Sequence, residues 1–546
     1  MLSKMKTNRH ISFFLALALL SNLLLNATAQ TKPVGNKPER LEWFRDLGFG
    51  MFIHWNVDGT LGGVISHSLA GASKDYSERY FNDLPKLFNP RKYNPDEWAE
   101  LAKLAGMKYV VFTTKHHAGF CMWNTKTTDF NVMNTPYGKD LQKELVVAFR
   151  KQGIAIGFYF SPDDFQWLYK NNKPVARHPH PGVRPQDNPG LMALDKAQVT
   201  ELLRDYGKID FFFIDGPETG LRELCWELDP DIVITRGAIE TPEQFIPGLP
   251  LEGAWEANLT MGTEWPYKPT NETYKSGQSL IRTLIETRAK GGNLLLNVGP
   301  KPDGELPIEQ EDRLREVALW MFVNREAIYD ARPWVVTNEG GVWFTSNKTQ
   351  DTLYAIVTDE WKYGDPKTLT LKSAAATDKL VISVLGQTGE LVEYRPTVNP
   401  KASFEQTPDG LKITAWKAQR LYTNNLWPNP VVVKITNVKS GIMPPKVLTL
   451  ASRWNAATKT MTVSGRLDDL GKVAAVEVGF QYRLKPEATE FESRKWTVTP
   501  LVSRSTTGEF SAELPKLEAG QRYEFQAIVK HPLLMMSAKS QVFTIQ

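Results

Sequence analysis

From residue 48 onward the chain alternates between two hydrophobic patterns. Short, nearly continuous apolar runs recur: GFGMFIHW (48–55), KYVVFTTKHH (108–117), AIGFYFS (155–161), DFFFIDG (210–216), DIVITR (231–236), GAWEANLT (253–260) and GGNLLLNVGP (291–300). Runs of this length, closed by Gly, Pro or polar residues, predict strands buried on both faces. Between them lie amphipathic stretches with apolar residues at helical spacing, such as NPDEWAELAKLAG (94–106) and KELVVAFRKQG (143–153). The first opens on Asn94-Pro95, an N-cap followed by a first-turn proline, and stops at Gly106. Strands alternating with helices imply parallel pairing through right-handed crossovers. Seven or eight such units predict a (β/α)8 barrel rather than a doubly wound open sheet, because no Gly-rich phosphate turn follows the first strand.

The pattern changes near residue 330. VWFTSN, TLYAIVTD, TLTLKS, KLVISVLG and LKITAW are short alternating strands set apart by turn residues, the signature of a β-sandwich. A second block of the same kind contains KVLTLASRW, TMTVSGRL, AAVEVGFQYRL, RKWTVTPLV and YEFQAIVK, with an immunoglobulin- or fibronectin-like rhythm and no ligand motif. Pro428, Pro430, Pro444 and Pro445 punctuate the join, and Ser440-Gly441 reads as a linker. The predicted organisation is a leader at 1–29, a barrel at 30–332, a β-sandwich at 333–437 and a C-terminal β-sandwich at 446–546.

The leader carries Lys4, Lys6 and Arg9, then the apolar ISFFLALALLSNLLL and an Ala27-Thr28-Ala29 cleavage site, so export with a mature start at Gln30 is expected, periplasmic or secreted, in a bacterium. No later run reaches the ~18 apolar residues a membrane span needs. The two cysteines, Cys121 and Cys225, cannot build a disulfide framework in a chain this long. A net charge of +4 spread over 546 residues gives no basic patch, so nothing points to nucleic acid.

The chemistry-bearing residues collect at one place in each unit, the carboxyl end of the strand. His54 and Trp55 end the first run, His116 and His117 the second, Tyr159 and Ser161 the third, Asp215 the fourth, Arg236 the fifth, Glu256 the sixth and Asn297 the seventh. In a barrel these positions converge on one cleft. A metal hydrolase would draw on His54, His116, His117 and Asp215, yet no H-x-H or H-E-x-x-H occurs, and adjacent strand residues point to opposite faces unless the strand ends between them. No G-x-S-x-G marks a serine hydrolase. Glycoside hydrolysis needs two carboxyl groups across a sugar, with His, Tyr, Trp and Arg to grip hydroxyls, and this inventory fits it best.

GMFIHW, YVVFTTKHHAGFCMWNTKTTDF, DFFFIDG, WEANLTMGTEWPY and AKGGNLLLNVGPKPDGELP, in this order over roughly 40–330, resemble the α-L-fucosidases of glycoside hydrolase family 29. The resemblance implies a barrel followed by a β-sandwich, and an exo-acting, retaining glycosidase that needs no metal or other cofactor. It also implies a fucosylated oligosaccharide or glycoconjugate as partner. Asp215 matches the nucleophile; His54, His116 and His117 match residues that bind sugar hydroxyls, with Trp55 beside them. Tyr159 matches a strand-three tyrosine near the nucleophile, its register open by one, and Arg236 a supporting arginine on strand five. The acid/base stays open between Glu243, Glu256 and Glu240. Glu243, in the loop after strand five, lies further out toward the leaving group and is preferred.

Three departures surround the expected sugar pocket. Asn56 follows His-Trp where the family has Gly; no clear Glu-Trp-Tyr stretch occurs in GVISHSLAGASKDYSERYF, where His67, Glu78 or neither stands in; and Ala118 occupies an often acidic position. Two alternatives therefore stay open from sequence alone: the same mechanism on a related sugar such as a galactoside, or a non-catalytic glycan-binding protein.

Overall fold

The computed structural model describes residues 35–422, 427–485, 496–515 and 517–545. The expected leader at 1–29 lies outside them. Among the described residues no helix is long and apolar enough to cross a membrane.

Seven of the predicted runs form strands: β1 (Phe49–Ile53), β2 (Tyr109–Lys115), β3 (Ala155–Phe160), β4 (Phe211–Ile214), β5 (Val233–Ile234), β6 (Glu256–Thr260) and β7 (Asn293–Val298). They make one parallel sheet in the order β5-β4-β3-β2-β1-β7-β6. The sheet is strongly curled. Phe52 on β1 and Phe213 on β4 lie three strands apart, about 14 Å on a flat sheet, yet their ring centroids are 5.2 Å apart. An eighth strand, expected from the barrel reading, is not part of this sheet. β5 is only two residues long, and the segment after it instead makes single bridges to the edge of β6, Glu240 opposite Trp255 and Glu243 opposite Asn258.

Strand periodicity decides what faces the inside of the curl. Registered pairs run Phe52–Val111–Gly157–Phe211–Val233 across five strands, and these residues share the inner face. Phe52, Tyr109, Val111, Tyr159, Phe211, Phe213, Val233 and Leu295 pack there as one cluster. Two glycines make room for it. A Cβ on Gly50 would lie 2.5 Å from the Tyr109 ring, and one on Gly157 would lie 2.9 Å from Phe211 Cβ. The alternate residues, such as Met51, Phe112, Phe212 and Ile214, face outward into the helix-covered core.

The helices form where predicted. Pro95–Leu104 buries Trp98, Ala99, Leu101 and Ala102, and Leu141–Lys151 buries Leu145, Val146 and Phe149 while Asp140 caps the Lys143 N–H. Asn94 holds the N-cap position without a side-chain bond, and Pro95 at the first helical position leaves one fewer N–H in need of a partner. Downstream, Arg332–Glu339, Val342–Ser346, Thr352–Val357, Val431–Thr436 and Val381–Val384 form a five-stranded antiparallel sheet. Pro366–Leu371, Gly410–Trp416 and Ser403–Thr407 form a three-stranded one. Their buried residues, among them Phe344, Leu353, Ile413 and Val433, are continuous with the core around the parallel sheet, whereas the strands beyond Lys446 pack a separate core around Val463, Phe480 and Phe525. Cys121 and Cys225 are both buried and free.

Candidate active site

The run DFFFID acquires its meaning from the period of two. Phe211 and Phe213 point into the curl, so Asp215, next in the alternation, points the same way just beyond the end of β4. Its N–H donates to Phe160 O at 3.0 Å, which continues the ladder one residue past the strand. Four groups then surround the carboxylate. The Tyr159 hydroxyl donates to Oδ2 at 2.6 Å, and Arg236 Nη1 donates to Oδ1 at 2.9 Å. Arg177 Nη2 stands 3.6 Å from Oδ1 and His117 Nε2 3.6 Å from Oδ2. Burial by itself raises the pKa of Asp215, but the Arg177 and Arg236 guanidiniums, with His117 and the Tyr159 hydroxyl, outweigh it and hold the carboxyl well below the usual range.

Four histidines, His54, His67, His116 and His117, line the same pocket, and burial lowers the pKa of each. His54 Nδ1 meets Asn297 Oδ1 at 2.6 Å while the Asn297 amide donates to Trp265 O, so His54 carries its proton on Nδ1 and turns a bare Nε2 to the pocket. Burial lowers its pKa to about 4, against a smaller opposite pull from Asn297. β2 ends at Lys115, which frees His116 and His117 from strand alternation, and both rings turn into the pocket with centroids 4.2 Å apart. His117 Nδ1 is bonded to Ser161 Oγ at 2.6 Å and His116 Nδ1 to Ser66 Oγ at 3.0 Å. Burial, foremost, pushes both well below the ordinary histidine value. Because the strand ends there, ligand atoms of His116, His117 and Asp215 lie within 4.8 Å of one another, a spacing a metal ion could bridge. The charges argue otherwise, since two guanidiniums already lie against that carboxylate.

The second carboxyl group of the pocket is Glu243. Segment 240–244 is laid along β6 by Glu256 N–H to Glu240 O, Asn258 N–H to Pro242 O and Gln244 N–H to Asn258 O. With even-numbered residues bonded to β6, Glu243 lines the pocket, and its Oε2 accepts from Arg236 Nη2 at 2.6 Å. Arg236 therefore bridges Glu243 and Asp215 with the two arms of one guanidinium. Glu240 is exposed and absent from the pocket lining.

Two expected site residues stand elsewhere. Glu256 begins β6 rather than ending it, so it lies at the opposite end of the inner face, where its Oε2 accepts from the Tyr109 hydroxyl at 2.6 Å. The carboxyl end of β6 is Thr260, and the β6 residue that lines the pocket is Asn258. Trp55 neighbours an inward residue and must point outward, where it packs on Phe88, Tyr93 and Trp98.

The pocket encloses ≈ 230 Å³, below the ~300–1,000 Å³ common for drug-sized ligands and suited to a single small ring. Its lining adds residues that sequence reasoning did not single out: Arg177, Trp265, Asn258, Val64 and Ile65. Arg177 lies in a loop between two helices, ARHPHPG, where no strand pattern marks it. Trp265 lies 4.8 Å from His54, centroid to centroid. His67, one of two stand-ins considered for the missing Glu-Trp-Tyr stretch, reaches the pocket, while Glu78 is exposed and bonded to Tyr169. Of the departures, Asn56 caps the short helix Val57–Leu61, and the Ala118 N–H donates to Ser66 Oγ.

Comparison with known proteins identifies a family. The family description α-L-fucosidase matches residues 25–326. The mouse tissue α-L-fucosidase is 31% identical over 394 residues, covering 64% of this chain and 84% of that protein, and the α-L-fucosidase of Dictyostelium discoideum is 28% identical over 394 residues with the same coverage. Among solved structures, α-L-fucosidase isoenzyme 1 of Paenibacillus thiaminolyticus superposes with a TM-score of 0.58 at 28% identity, over 73% of this chain and 98% of that one. The Thermotoga maritima α-fucosidase in complex with fucose gives a TM-score of 0.58 at 26% identity, over 73% of this chain and all (100%) of that one. With the family match spanning more than half of its length, this chain belongs to the α-L-fucosidase family of glycoside hydrolases, enzymes that hydrolyse fucosides.

Proposed function

We propose that this enzyme removes terminal α-L-fucose from glycans with retention of configuration, with Asp215 as nucleophile and Glu243 as acid/base. The observation that carries the reading is Arg236, one guanidinium bonded to both carboxylates at the rim of a pocket sized for one sugar. A retaining mechanism needs two carboxyl groups close enough to act on one glycosidic bond. Asp215, held as an anion, attacks the anomeric carbon while Glu243 gives a proton to the departing oxygen. A sugar ester on Asp215 results. Water then attacks the same carbon, Glu243 takes its proton, and the C–O bond to Asp215 breaks. Esterification leaves Arg236 with Glu243 as its one charged partner, which suits the anionic base that the second step requires.

His54, His116 and His117 offer ring nitrogens to sugar hydroxyls, and their neutral state lets them accept hydrogen bonds in the weakly acidic range. The strap that presents Glu243 also joins the end of β5 to β6, which supports reading the curled sheet as a closed barrel. Export through the leader at 1–29 belongs to the same proposal.

The test is hydrolysis of an aryl α-L-fucoside by the wild type and by Asp215→Ala, with azide supplied to the variant. Turnover that collapses in the variant, with azide yielding β-L-fucosyl azide, is the expected result. A wild type inactive on this substrate but active on another aryl glycoside overturns the sugar assignment, and Asp215→Ala retaining turnover overturns the nucleophile.

A further inference from the structure

The nucleophile has two cationic neighbours held in different ways. Arg236 hydrogen-bonds Asp215 and keeps Glu243 on its other arm. Arg177 arrives from a loop and is fastened from behind, its Nε 3.4 Å from Asp163 Oδ2. Asp163 is itself buried and bonded to His178 Nδ1 at 3.0 Å, and Arg184 Nε donates to His178 O at 2.9 Å, so the loop is tied down at the residue directly after Arg177. Its Nη2 is buried, makes no hydrogen bond and faces Asp215 Oδ1 at 3.6 Å. A guanidinium arm is thus positioned against the carboxylate without being committed to it.

We infer that Arg177 is a positioning residue that acts through Asp215 in the second half of the reaction, stabilising the carboxylate as the sugar ester breaks. The inference rests on Asp215 being the nucleophile. In the first step the carboxylate spends its charge in the new C–O bond, and Arg177 loses an ion pair, which slows ester formation slightly. In the second step water adds to the anomeric carbon, its proton goes to Glu243, and the electron pair of the breaking C–O bond returns to Asp215. The charge reappears in front of an arm already desolvated and aligned, the arrangement that lowers a barrier most. Arg236 serves both steps and both carboxylates, whereas Arg177 favours release.

Arg177→Met and Arg177→Lys test this with an aryl α-L-fucoside bearing an acidic phenol, read by steady-state kinetics and by the pre-steady-state phenol trace. For Arg177→Met the expected result is a fall in kcat of about 10²-fold, the scale of losing one preorganised charge-stabilising group. KM should fall with it, leaving kcat/KM much less changed, and a phenol burst should match the enzyme concentration. Azide, a better nucleophile than water, should raise kcat, and Arg177→Lys should recover part of the loss. Equal falls in kcat and kcat/KM without a burst overturn the inference, as does a lysine variant no better than the methionine one. If Arg177→Met does not fold, the burst and the kcat-to-KM split are read from Arg177→Lys, whose charge is kept but displaced. Azide rescue of Asp215→Ala separates the outcomes: its failure sinks the nucleophile assignment, while its success alongside unsplit Arg177 kinetics sinks only the role given to Arg177.

Discussion

Two carboxylates are buried on the inner face of the same curled sheet, Asp215 at its carboxyl end and Glu256 at its amino end, 7% and 0% exposed. Burial pushes both upward in pKa. At Asp215 two guanidiniums reverse the effect, and the group stays charged. At Glu256 burial prevails and the pKa rises to about 7, because a single Tyr109 hydrogen bond and the charge of Arg236 pull too weakly the other way. Arg288 lies in the same end of the molecule but is engaged by the carbonyls of Ile328, Gly292, Arg45 and Ala331 and by Asn293 Oδ1. Depth, then, does not decide whether a carboxyl group stays charged. What sets Asp215 apart is a pair of cations fixed beside it and an open pocket in front of it.

Replacing the carboxyl group at either end should separate the two most sharply. Asp215→Asn should lower kcat/KM on aryl fucosides by about 10⁴-fold, the scale of deleting a central catalytic group. Glu243→Gln should cost about 10²–10⁴-fold on substrates with a poor leaving group and much less on those with an acidic phenol, which leaves without a proton. Glu256→Gln should keep turnover within severalfold of the wild type, and a loss as deep as that of Glu243→Gln would place the acid at the wrong end.

Stability sharpens the contrast. With a folded pKa of about 7 against an ordinary 4.5, Glu256 keeps its proton in the folded state where the unfolded chain has lost it. The resulting penalty is absent below pH 4.5, grows as pH rises and is complete above about 7, on the order of 3 kcal/mol. Glu256→Gln should therefore raise the denaturation midpoint at pH 8 and leave it near the wild type at pH 4.5. The smallest effect concerns the histidines. Because burial lowers the pKa values of His54, His67, His116 and His117, the pH profile of kcat/KM should show no loss centred on the ordinary value of 6.5.

The fold was legible in the chain to the extent that its signal is local. All seven apolar runs became strands within a few residues of the reading, since continuous apolar stretches bounded by turn residues have one stable use in such a protein. Asp215 was legible for the same reason: the run DFFFI announces a buried strand, and the polar residue at its end must emerge at the rim. His54 and Tyr159 follow by the same alternation, and the Tyr159 hydroxyl reaches Asp215. Trp55 was misplaced although the same alternation puts it on the far side from His54.

What only the tertiary structure decided are the contributions of segments with no periodicity. Sequence position favours Glu243 over Glu256 only through its place in the loop after strand five, and neither ETPEQ nor AWEAN marks which carboxyl group enters the pocket. Glu243 enters it because backbone bonds from β6 lay segment 240–244 beside it, while Glu256 falls at the start of its strand. Arg177 lies far from Asp215 in the chain and reaches it through a loop tied to Asp163. Local sequence determines which face a strand residue shows; a charge brought in by a loop acts through distance in space, and that distance exists only once the chain has folded.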